Sequence, residues 1–83
     1  MKYICTERLD GREEIFIFPD DIDHDAMAEA LGRIKDQTHS NWKRVFRKPV
    51  SAGFVDSKGT CFGQSVTLGL DSRRKDSELL AEQ

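Results

Sequence analysis

The sequence predicts an α+β fold: a small antiparallel sheet in the order β-β-α-β-β-β, with one helix packed on one face and a charged C-terminal tail. Three observations carry this. Asp10-Gly11 lies between two β-prone segments, Met27, Ala30, Leu31 and Ile34 recur at helical spacing, and in the second half Val66, Leu68 and Leu70 alternate with Ser65, Thr67 and Gly69. The chain has 83 residues, which suffices for one core, so residues 1–83 form a single small domain.

The first 18 residues read as a hairpin closed by a two-residue Asp10-Gly11 turn. That turn pairs Tyr3 with Phe18, Ile4 with Ile17 and Cys5 with Phe16. One face then carries Tyr3, Cys5, Phe16 and Phe18, the other Ile4, Ile15 and Ile17. Pro19 ends the second strand. Asp23 is placed to cap a helix over 24–36, with Ile22 and Met27 as its hydrophobic staple. Residues 41–48 fit both helix and strand; Pro49 and the β-branched residues beyond it favour a strand. Residues 50–55 and 60–62 form a second hairpin around Asp56-Ser57-Lys58-Gly59. Val66, Leu68 and Leu70 alternate with small or polar residues, which suggests a last short strand. The tail, residues 71–83, frays or forms a short helix capped by Asp76 and carrying Leu79 and Leu80.

A net charge of −2 conceals an uneven distribution. Residues 1–36 hold ten acids against five bases, 37–75 hold two against eight, and 76–83 hold three acids. The halves either neutralise each other across the folded surface or present a basic patch to a partner. No leader-like or membrane-spanning stretch occurs, and two cysteines without a leader suggest reduced thiols in a cytoplasmic protein.

The chemistry of the sequence argues against an enzyme, and no catalytic residue, metal ligand, cofactor or small-molecule substrate is indicated. Asp20, Asp21, Asp23, His24 and Asp25 gather oxygens and an imidazole. An EF-hand loop begun at Asp20 would, however, meet Asp25 where it needs glycine and Leu31 where it needs glutamate. His24 and His39 read as surface residues, Cys5 and Cys61 as small core residues. Gly59, Gly63 and Gly69 are too far apart to cradle a phosphate. Glu13 and Glu14, adjacent on a strand, point to opposite faces.

Two binding hypotheses remain. In the first, a hairpin apolar on both faces needs more cover than one helix gives, so Tyr3, Phe16 and Phe18 are candidates for association with a protein partner or a second copy. The tail or the second half of the chain is the intramolecular alternative. In the second, Trp42, Arg44, Phe46, Arg47 and Lys48 combine aromatics with cations, as nucleic-acid binding requires. Core packing of Trp42 and Phe46 is the plainer reading of that pattern.

The segments 50–55, Cys61-Phe62-Gly63, Ser65 to Ser72 around Leu68-Gly69-Leu70, and Arg73 with Asp76 to Leu80 resemble parts of small phage and prophage proteins of uncharacterised function. In those proteins a proline commonly follows the Ser-Arg pair, where this chain has Arg74. The resemblance implies a bacterial or phage-infected cell and an accessory role, and it transfers no activity and no site residue.

Overall fold

The computed structural model describes residues 1–31 and 47–83. Strands β1 (Lys2–Arg8), β2 (Glu13–Phe18), β3 (Arg47–Val55) and β4 (Cys61–Phe62) form one antiparallel sheet in the order β2-β1-β3-β4. A two-stranded ribbon, β5 (Gln64–Ser65) and β6 (Leu70–Asp71), lies beside it. Helices α1 (His24–Leu31) and α2 (Arg74–Glu82) complete the fold. The α+β architecture is as the sequence predicts, but the strands divide into two sheets; the tail takes the helical alternative, with Arg73 at its N-cap and the expected cap, Asp76, three residues inside.

β1 is central, and its core residues Tyr3, Ile4 and Cys5 are fully buried. A strand flanked on both sides and covered on both faces must be apolar at consecutive positions, which accounts for the Tyr-Ile-Cys run. The side of the sheet with Tyr3, Cys5, Ile15 and Val55 is covered by α2 through Leu79 and Leu80. The side with Ile4, Phe18 and Ala52 is covered by Met27, Ala28 and Leu31 of α1 and by Leu68 and Leu70. Both apolar faces of the hairpin thus receive cover from within the chain, with Ile17 left exposed on the α2 side.

The hairpin register differs from the predicted one by one residue. Tyr3 pairs with Ile17, Ile4 with Phe16 and Cys5 with Ile15. The loop is Leu9-Asp10-Gly11: Arg8 O accepts from Gly11 N, Arg8 N donates to Arg12 O, both at 2.9 Å, and Gly11 takes φ +84°. This is a three-residue turn with a glycine bulge, and one added loop residue exchanges the faces of β2. Phe16 and Phe18 therefore lie with Ile4, while Ile15 and Ile17 lie with Tyr3.

Two further expectations are corrected and one is met. Ala30 is exposed, and the buried stripe of α1 is His24, Met27, Ala28 and Leu31; the rest of the predicted helix 24–36 lies outside the described residues. Asp23 takes the N-cap position of α1 as expected, its backbone carbonyl accepting from Met27 N at 3.1 Å. Residues 66–69 form the turn between β5 and β6, not a strand. Gly69 has φ +65°, its N–H donates to Val66 O, and Val66 is 83% exposed. β3 keeps Pro49 because the register slips between Cys5 and Thr6, a local bulge.

Candidate functional site

The densest polar cluster among the described residues is buried where α2 starts. Asp76, fully buried, accepts on Oδ2 from the Tyr3 hydroxyl at 2.6 Å and from the Arg73 backbone N–H at 2.9 Å. Its Oδ1 accepts from Arg73 Nε at 3.0 Å and lies 2.8 Å from Arg73 Nη2. The same guanidinium reaches Glu13 on β2 at 3.0 Å and 3.3 Å and lies 3.3 Å from Cys5 Sγ. Ser77 Oγ accepts from the Cys61 backbone N–H at 2.9 Å. α2 is thereby fastened to β1, β2 and β4 by polar bonds as well as by its two leucines.

Burial pushes the Asp76 carboxyl up. The Tyr3 hydroxyl and the Arg73 N–H and guanidinium pull harder the other way and hold it below the ordinary carboxylate range. The wholly buried Ser51 hydroxyl lies beside this carboxylate and adds to the pull without a well-aligned hydrogen bond. Hydrogen bonding to Arg73 lowers Glu13 as well. Burial raises the Tyr3 hydroxyl and the Cys61 thiol and pushes the Cys5 thiol up to about 11. Tyrosine and thiols therefore keep their protons at neutral pH, and the carboxylates are saturated by Arg73. The cluster clamps the start of α2 to the sheet.

The sequence candidates are dispersed. Tyr3 and Phe18 are core residues on opposite faces of the sheet, and Phe16 is partly buried beneath the Arg47 guanidinium, 5.2 Å from its ring centre. The common apolar face expected for Tyr3, Phe16 and Phe18 does not form, because the register separates them. Trp42, Arg44 and Phe46 lie outside the described residues. Arg47 begins β3 with its side chain only 9% exposed and donates to Glu14 at 3.2 Å, whereas Lys48 is exposed. His24 is buried against expectation: its Nε2 lies 2.9 Å from Gly53 O, and its ring meets Phe18 and Phe54 edge-on. Cys5 and Cys61 are free thiols. No cluster of three or more His, Cys, Asp or Glu with metal-binding geometry occurs among the described residues.

One surface was not singled out by the sequence. Beside α2, Met1, Ile17, Val55 and Leu80 line a groove of about 530 Å³, to which Asp56, Ser57 and Gly59 of the turn also contribute. Met1 is 57% and Ile17 42% exposed. Ile17 also belongs to β2, the edge of the sheet. Ile15, two residues earlier, directs its N–H and C=O away from β1 and exchanges both with the Gln83 carboxamide, at 2.7 Å and 3.0 Å. Strand periodicity then turns the N–H and C=O of Ile17 outward too, where no described segment pairs with them.

No family model, curated protein or solved structure matches this chain. Among the described residues no helix is long and apolar enough to cross a membrane.

Proposed function

We propose that this protein works by association rather than catalysis, and that its working surface is the groove of Met1, Ile17, Val55 and Leu80 with the adjoining edge of β2. The observation that carries the reading is the coincidence, at Ile17, of an exposed apolar side chain with an outward-facing backbone. Exposed sheet edges are normally blunted by charge, proline or a covering segment. Here the last edge position before Pro19 is an isoleucine.

The occupant is a short apolar segment of another protein. A stable dimer interface buries roughly 800 Å² per partner, whereas a groove of about 530 Å³ holds a few side chains. The resemblance of residues 50–80 to small phage and prophage proteins supports an accessory role in a bacterial or phage-infected cell.

A fluorescein-labelled eight-residue peptide alternating isoleucine with threonine and lysine tests the reading by anisotropy. Saturable binding is expected, weakened at least roughly tenfold, or about 1.4 kcal/mol, by Ile17→Asp. The wild-type protein should show a monomer mass by light scattering. Equal binding by the variant, no binding, or a dimer mass contradicts it.

A further inference from the structure

We propose that the partner binds as an added β-strand along β2, and that the Gln83 side chain occupies part of that strand's place until the partner displaces it. This rests on the association reading above and names its partner as an extended chain.

The Gln83 contact has the form of a β-ladder. Within one carboxamide, Oε1 accepts from Ile15 N at 2.7 Å and Nε2 donates to Ile15 O at 3.0 Å. A neighbouring strand would make the same donor and acceptor exchange through its backbone. The side-chain amide thus stands in for a peptide group, and it shows which chemistry the edge accepts. It satisfies Ile15 alone, and no described segment pairs with Ile17, the next outward-facing position, beside the groove.

Geometry fixes the orientation of the incoming segment. Ile15 and Ile17 share the face of the sheet that carries Tyr3 and α2, and Ile17 lines the groove on that face. In an antiparallel ladder, a residue that exchanges hydrogen bonds with its opposite number also shares its face. The partner residues that bond to Ile17 and Ile15 therefore send their side chains toward the groove and α2. The intervening residues bond to nothing on β2 and point to the other face. Apolar side chains are required at the bonded positions only.

Displacing Gln83 extends the ladder from Ile17 to Ile15. The partner then replaces two hydrogen bonds that the free protein already makes, so removing the carboxamide favours binding. Gln83→Ala should tighten the isoleucine–threonine peptide about fivefold. Gln83→Glu keeps the acceptor and loses the donor to Ile15 O, and should also tighten it.

The decisive probes are two versions of that peptide, one N-methylated at every isoleucine, the other at every intervening residue. Methylation removes the N–H while keeping the side chains. The isoleucine-methylated peptide should bind at least tenfold more weakly than the parent, and the other should bind within about twofold of it. Equal effects of the two methylations overturn strand addition, yet leave the association reading standing if Ile17→Asp still weakens the parent. Unchanged affinity in both Gln83 variants, with their folds verified by circular dichroism, overturns the displacement. Failure of every peptide to bind overturns the association reading itself.

Discussion

Replacing Asp76 with alanine is expected to remove about 3–5 kcal/mol of folding free energy, the usual loss when one partner of a buried charged pair is deleted. A chain of 83 residues has only about 4–12 kcal/mol in total, so the variant should be largely unfolded or melt well below the wild type. The Tyr3 hydroxyl and the Arg73 guanidinium lose their shared acceptor, and the start of α2 loses the carboxylate that receives the Arg73 N–H. Urea denaturation followed by circular dichroism measures this. Asp76→Asn keeps the shape and loses the charge, so it should fall between the two.

The same clamp predicts the pH profile. Asp76 and Glu13 have folded pKa values below their unfolded ones, so their stabilisation is complete only above the unfolded values, from about pH 5 upward. It is lost as pH falls through the folded values. Asp76→Asn should flatten that acid limb, leaving the contribution of Glu13. At the alkaline end Cys5 is raised from 9.0 to about 11, so its contribution is complete below pH 9 and disappears between these values. A stability difference between wild type and Asp76→Asn that stays constant, instead of shrinking, as pH falls below about 4 contradicts the role given to Asp76.

Gly53→Ala should be the next most damaging change, at about 1–3 kcal/mol. A methyl group there would collide with the Phe62 carbonyl oxygen and crowd Gly63. Because the obstacle is backbone, no side-chain rotation relieves it, and β4 must part from β3. The Phe54–Phe62 ring contact, 6.0 Å between centres, and the hydrogen bond of His24 to Gly53 O sit at the same place. Faster exchange of the backbone amides around Phe62, with a lower melting temperature, is the expected signature. A wild-type melting temperature would show that the strands have room to adjust.

The parts of the fold that local chemistry specifies were legible in the sequence. Asp10-Gly11 marks a turn, Gly59 closes the second hairpin, and Met27 and Leu31 mark a helix facing the sheet. What local chemistry leaves open is the loop length. A glycine with positive φ serves a two-residue turn and a three-residue turn with a bulge alike. That ambiguity decides which face every β2 residue occupies.

The helix stripes were obscured for a related reason. α1 buries His24, Met27, Ala28 and Leu31, while Asp76, Leu79, Leu80 and Gln83 of the α2 segment contact the sheet, both sets at i, i+3, i+4 and i+7. Each stripe begins with a polar residue, and a search for apolar periodicity skips it. Pairing Asp76 with Tyr3 spans 73 positions, a separation that no local pattern reports.

The candidate surface was hidden by the same uncertainty. Tyr3, Phe16 and Phe18 draw the eye as aromatics, and bulk of that kind is what a core recruits; Tyr3 and Phe18 are buried. Ile17 becomes conspicuous only once the register turns its backbone to the open edge.

Amide hydrogen exchange at Ile17, followed by NMR with and without the isoleucine–threonine peptide, tests strand addition most directly. In the free protein the Ile17 amide should exchange rapidly, while its neighbours Phe16 and Phe18, bonded to β1, are protected. At saturating peptide Ile17 should become protected as well. An Ile17 amide that still exchanges rapidly at saturation, or that is already protected in the free protein, would contradict an open edge that receives a strand.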